Sequence, residues 1–257
     1  MKKMNQLVFA AIILGITALS SCKKDDHDHD HDHDNQTGTV VVKMEHVWGM
    51  NNAQFSLNST LVHPMNQDTM TFTTFKYYIS NFKLKKSDGT WWTHPESYFL
   101  VDQSNASTMN LNLGSIPTGE YTEMSYTLGV DSIKNVSGAQ SGALSTANNM
   151  FWSWNSGYIM VKAEGTSPQS ANGSFAFHLG GFSGANNIVT QKTVSFSSNA
   201  LTVSHDKTSE IHMTANPAKL FHADPLSAGT MVMMPGIKAK SIATNFYGSF
   251  AFDHLVE

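Results

Sequence analysis

Thr71-Phe72-Thr73-Thr74-Phe75-Lys76-Tyr77-Tyr78-Ile79-Ser80-Asn81-Phe82-Lys83-Leu84 is a dense run of β-branched and aromatic residues. Asp88-Gly89, a turn pair, follows it. This texture reads as a strand, and it recurs in both directions. Residues 40–48, 97–102, 119–129, 157–165, 174–180, 192–196, 210–216 and 242–255 carry it between clusters of Gly, Asn, Ser and Asp. Few windows carry a 3.6-residue period, and a short helix is expected only at 217–222. Residues 131–150 are rich in small side chains and bracketed by strand signals, so an ordered functional loop is expected there. The pattern predicts an all-β fold, an antiparallel β-sandwich or flattened barrel with long loops.

The chain divides into three parts: 1–21, 22–38 and a single β domain over 39–257. Met1-Lys2-Lys3 opens an apolar run that ends in Leu19-Ser20-Ser21-Cys22. The run is too short for a comfortable membrane span, which takes about 20 residues, and has the layout of a secretory signal. Its ending resembles the bacterial lipobox, whose cysteine becomes the lipidated N-terminus. Lys23-Lys24-Asp25-Asp26 resembles the export signal of Bacteroidetes surface lipoproteins. An outer-membrane lipoprotein, facing the cell surface or the periplasm, is therefore expected. Cys22 is the only cysteine, so no intrachain disulfide is possible. His27, His29, His31 and His33 alternate with aspartates. Such a tract cannot bury apolar surface and reads as a disordered stalk. Its imidazoles and carboxylates suit copper, zinc or nickel.

Charged residues make up 14% of the chain, the net charge is −4, and every one of the 16 basic residues is lysine. Without a basic stripe or phosphate-gripping arginines, no nucleic-acid partner is expected. No Gly-x-Ser-x-Gly elbow, His-Glu-x-x-His motif, phosphate loop or thiol nucleophile stands in the domain, so a non-enzymatic role is expected.

Eight histidines lie beyond the stalk: His46, His63, His94, His178, His205, His212, His222 and His254. In residues 40–48, His46 shares a face with Val42, Met44 and Trp48, and at the C-terminus His254 shares one with Phe250, Phe252 and Val256. Each reads either as a satisfied core histidine or as a ligand. His178 sits on the small-residue side of its strand, before Gly180-Gly181, where a loop can pass close. Trp92 and His94 project to one side just past the Asp88-Gly89 turn. Of the 14 methionines only Met231, Met233 and Met234 cluster, and they read as core filler.

Several blocks resemble a known family. They are Tyr77-Tyr78-Ile79-Ser80-Asn81-Phe82-Lys83-Leu84 with Asp88-Gly89, Phe99-Leu100-Val101-Asp102, Phe151-Trp152-Ser153-Trp154-Asn155-Ser156-Gly157-Tyr158 with Glu164, Phe177-His178-Leu179-Gly180-Gly181, and Phe252-Asp253-His254. Together they resemble the MbnP-like, methanobactin-associated copper-binding proteins in their Bacteroidetes lipoprotein branch. The resemblance implies a secreted or surface β protein that binds copper. It also implies a site of histidine imidazoles and a kynurenine, made by oxidising a tryptophan two residues before a ligand histidine. A MauG-type diheme enzyme is the implied partner for that oxidation. Trp92-x-His94 fits the spacing, His178 is the implied second ligand, and His46 and His254 are the reserves. The competing expectation is a surface lipoprotein that binds a glycan or protein through Trp91, Trp92, Trp152 and Trp154, with metal held only by the stalk.

Overall fold

A computed structural model describes residues 36–138, 140–152, 157–196, 199–222 and 225–257. Cys22, the histidines of the expected stalk and Trp154 lie outside the described residues. The first strands are β1 (Thr37–Trp48), β2 (Ala53–Gln54), β3 (Leu61–Val62), β4 (Thr69–Lys86), β5 (Trp91–Thr93) and β6 (Tyr98–Asp102). Then come β7 (Asn110–Pro117), β8 (Gly119–Leu128), β9 (Phe151–Trp152), β10 (Gly157–Thr166) and β11 (Ser174–Gly180). The last are β12 (Thr190–Ser195), β13 (Leu201–Val203), β14 (Thr208–Ala215), β15 (Met231–Val232) and β16 (Ala251–Val256). Among the described residues, two α-helices, α1 (Ser132–Val136) and α2 (Ile237–Tyr247), complete the regular structure together with short 3₁₀ turns. No helix among the described residues is long and apolar enough to cross a membrane.

The fold is all-β, as expected. One sheet runs β16-β14-β1-β2 with β7 beside β1. The larger one runs β12-β8-β4-β10-β11-β15, with short strands along β4, β8 and β10. Most pairs are antiparallel, but β1 with β14 and β11 with β15 are parallel. The core lies between the sheets. Val40, Val42, Met44, His46 and Trp48 point inward from β1. They meet Phe72, Phe75 and Tyr77 of β4, with edge-to-face rings at 5.7 Å for Trp48–Phe72 and 4.9 Å for His46–Phe75. Phe246 of α2 closes the layer at 5.5 Å from Phe75. Ring pairs of this kind add about 0.5–1.5 kcal/mol beyond the area that they bury.

The opening stretch becomes β4, and two bulges interrupt its alternation. Thr74 pairs with Glu164 and Phe72 with Gly165, which leaves Thr73 as the extra residue. A Cβ on Gly165 would stand 2.1 Å from the Thr71 carbonyl oxygen, so only glycine fits against this bulge. Further on, Ser80 pairs with Thr127 but Lys83 with Ser125. The extra residue lies beside Asn81, whose φ of 54° is a left-handed value that asparagine tolerates. This second bulge passes the inward face from Phe75, Tyr77 and Ile79 to Phe82 and Leu84.

One expected strand is corrected. Residues 242–255 are half helix: α2 runs through Tyr247 and β16 begins only at Ala251. Ala239, Ile242, Ala243, Phe246 and Tyr247 are the buried positions of α2, a helical spacing hidden among β-branched and aromatic residues. The expected loop at 131–150 holds α1 and two 3₁₀ turns, and Pro217–Phe221 is a 3₁₀ helix close to the expected short helix.

Candidate metal-binding site

His178 is the best-prepared ligand among the expected residues. It stands on β11 opposite Lys162 of β10, one diagonal step from Glu164. Its Nε2 lies 2.6 Å from Glu164 Oε1, and Lys162 Nζ lies 3.5 Å from the same oxygen. Burial alone would raise the Glu164 carboxyl, but the His178 bond and the Lys162 charge outweigh it and hold it below the usual range. An ionised Glu164 accepts, so Nε2 carries the proton and Nδ1 keeps the lone pair. A carboxylate on the far nitrogen is the usual orienter of a metal-bound histidine. Gly180 lies two residues on, on the same face, and the ring of Trp152 presses against it. A Cβ on Gly180 would meet that ring at 2.4 Å.

Trp92 and His94 do share a side, with rings edge to face at 5.8 Å. His94 borders a cleft of about 440 Å³ with Asn81, Lys83, Tyr98, Thr127 and Asp131. Its Nδ1 accepts the Glu96 N–H at 3.0 Å. Burial lowers its pKa, which favours the neutral ring. That ring turns an N–H, not a lone pair, from Nε2.

The two histidines do not meet on one ion. His178 is in register with Lys162, and Lys162 with Lys76 on β4, while the His94 N–H bonds to the Phe82 carbonyl. Six residues of strand separate those positions, about 20 Å at a rise of about 3.3 Å per residue. Metal–nitrogen bonds are about 2 Å.

His46 is a satisfied core histidine. Gln103 Nε2 donates to the Phe55 carbonyl, which turns Gln103 Oε1 towards His46 Nδ1. Its Nε2 accepts the Tyr77 hydroxyl at 3.0 Å. Burial brings its pKa down to about 4. The two reserve histidines, His46 and His254, do not come together: β14 lies between their strands, and they face opposite sides. Phe252 pairs with Met213 and Leu255 with Ile211, so a bulge turns Asp253 and His254 both to the exterior. His254 stacks there on His212, which the sequence reading passed over, at 4.2 Å.

His63 uses both nitrogens, donating from Nε2 to the Ala218 carbonyl and accepting the Asn66 N–H. Met231, Met233 and Met234 are exposed, against the expectation of core filler. Trp152 is buried, which removes it from an exposed aromatic platform, whereas Trp91 is exposed with Lys85 over its ring. Among the described residues, no three His, Cys, Asp or Glu side chains converge as a ready-made metal cluster. The pairings of Glu164 with His178 and of His212 with His254 escaped sequence reasoning because the partners come from neighbouring strands whose register no local pattern displays.

The MbnP family model matches residues 37–235, which takes in β1 to β15 and His178 but not α2 or β16. The chain belongs to the MbnP family. Among solved structures, MbnP from Methylosinus trichosporium is similar at 16% identity and a TM-score of 0.52. The match covers 77% of this chain and 83% of that one, a likeness of fold. No curated protein matches. Membership ties this MbnP-family chain to methanobactin-associated, copper-related proteins.

Proposed function

We propose that this MbnP-family chain is a lipid-anchored, extracytoplasmic copper-binding protein that acquires, stores or hands on copper and catalyses nothing itself. Cys22 carries the anchor and places the domain at the outer membrane, facing the cell surface. Copper is the cargo. His178 is the domain ligand, with Nδ1 as donor and Glu164 as its orienter. The observation that carries the reading is this oriented imidazole inside a family match that spans nearly all of the β domain.

A second position has its own observation. The edge contact of Trp92 with His94 puts an indole where ring opening to kynurenine creates an aromatic amine beside an imidazole. Intact indole offers only an N–H. A MauG-type diheme enzyme is the partner proposed to supply that oxidation.

The deciding experiment is a Cu(I) titration, against a chromophoric chelator, of protein lacking residues 23–38. This deletion takes the expected stalk and the first two residues of β1, Thr37 and Gly38, and leaves the rest of that strand in place. Binding of at least one copper by the shortened protein supports a domain site. Loss of all binding assigns copper to the stalk and ends the domain reading.

A further inference from the structure

His178 offers one oriented lone pair, and the donors on the strand beside it are sulfur. β15 runs parallel to β11, with Met231 level with Ala176 and Val232 level with Phe177. The Ala176 N–H donates to the Thr230 carbonyl at 2.8 Å, which fixes this register. Val232 and Phe177 are both buried, so Met231 and Ala176 turn to the opposite, outer face of the larger sheet. One step further along both strands, Met233 comes level with His178. The chain stays beside β11 past that point, because a Cβ on Gly181 would lie 3.4 Å from the Pro235 Cβ. Met233 is therefore held between Val232 at Phe177 and Pro235 at Gly181. By alternation, Met231, Met233 and His178 share one face.

The second observation is the direction of the free lone pair. His178 Nε2 meets Glu164 on β10 at 2.6 Å. Cδ2 and Nε2 lie along one flank of an imidazole and Nδ1 lies on the other. With Nε2 turned to β10, Nδ1 turns towards β15. No hydrogen bond engages Nδ1 among the described residues. β15 is the last strand in its sheet, so a cargo ion can approach from that edge.

The third is exposure. Met231 is 51% exposed and Met233 43%, although the burial of apolar side chains is what ordinarily gives methionine its place in a β protein. Neighbouring strands stand about 4.8 Å apart, and residues two apart on a strand about 6.6 Å. The three rotatable bonds of methionine let both sulfurs swing to an ion at Nδ1.

We infer that Met231 and Met233 supply two thioether sulfurs to the copper ion held by His178 Nδ1, a site of one nitrogen and two sulfurs. The inference rests on the proposed reading of His178 as the copper ligand. Thioether selects Cu(I), so the site takes reduced copper in preference to Cu(II) or Zn(II). Met234, equally exposed but placed off this face by the alternation, stands outside the site.

The test uses the full chain with His27, His29, His31 and His33 replaced by Asn as the parent, titrated with Cu(I) against a chromophoric chelator. Leucine keeps the volume and apolarity of methionine, so Met231→Leu and Met233→Leu preserve the fold. Each should weaken Cu(I) by about tenfold or more, at least the loss of an orienting partner. Met234→Leu should match the parent. X-ray absorption at the copper edge should show sulfur bound to copper in the parent and none in the double variant. Parent affinity in both Met231→Leu and Met233→Leu, with copper lost from His178→Ala, overturns the inference and leaves the His178 reading standing. Copper kept by His178→Ala overturns that reading and the shared site with it. An equal loss in Met234→Leu, or a parent spectrum without sulfur, also overturns the inference.

Discussion

Glu164 and His178 face each other diagonally across the β10–β11 pair, Oε1 to Nε2 at 2.6 Å. The two residues do different work in the proposed copper site, and variants separate them. His178→Ala removes the donor, so the Cu(I) measured by chelator competition in protein lacking residues 23–38 should disappear. Glu164→Gln keeps the imidazole but replaces its anionic acceptor with a neutral amide. Orienting partners of this kind typically contribute 10- to 100-fold in metal affinity, and a loss of about that size is expected. Equal, undiminished affinity in both variants rejects His178 as the ligand.

His46 makes a prediction about stability. Burial lowers its folded pKa to about 4, against 6.5 for an unperturbed imidazole. The unfolded chain therefore takes up a proton near pH 6.5 that the folded chain refuses until about pH 4. The contribution is fully present above 6.5, falls as pH drops towards 4, and changes little below that. A gap of about 2.5 units corresponds to about 3 kcal/mol. His63 and His94 are lowered too and act with the same sign. The carboxyls of Asp102, Asp131 and Glu164 are lowered and withdraw their stability at more acidic pH. Denaturant unfolding at pH 7, 6, 5 and 4 should show a decline in the parent that is clearly smaller in His46→Gln. Parallel curves would mean that His46 is not the group responsible.

The β character of the chain was legible because strands bury side chains in alternation, and alternation is written locally. The strand at 174–180 is found with the same bounds. What the alternation hid was its own interruptions. At Thr73 and beside Asn81, β4 gains a residue, and the inward face shifts without any break in composition. The same effect at β16 turned His254 outward, away from the apolar face on which the spacing placed it. The site was legible residue by residue but not as an assembly. His178 stood out by its small neighbours, yet its partner Glu164 lies on another strand. Trp92 and His94 are two residues apart in one short strand region, and their shared side was foreseen for that reason.

The N-terminal reading has a test that is independent of the domain. Cys22→Ser removes the thiol that acylation requires. Attachment by several acyl chains adds about 0.8 kcal/mol per buried methylene, so the parent should fractionate fully with outer membranes. The variant should be soluble or retained unprocessed in the inner membrane. Replacing His27, His29, His31 and His33 with Asn should lower total copper capacity and leave the metal-free melting temperature unchanged. A variant Cys22→Ser that stays with outer membranes as fully as the parent rejects the lipobox.

The last prediction concerns Trp92. In protein made without a diheme partner the indole stays closed, His94 presents an N–H, and copper bound by the domain should depend on His178 and not on His94. In the native host, oxidation at Trp92 by oxygen insertion across the C2–C3 bond, with the C2 carbon then lost as formate, should open the indole and free an aromatic amine beside His94; the two ring centres stand 5.8 Å apart before reaction. Peptide mass spectrometry over residues 87–100 should then find kynurenine at Trp92. That protein should bind one copper more than protein made alone, and His94→Ala should remove only this extra ion. The separation along β4 is what makes the two ions independent, so His178→Ala and His94→Ala should be additive in the native-host protein. Intact Trp92 in copper-loaded protein from the native host rejects the modification and leaves copper binding to His178.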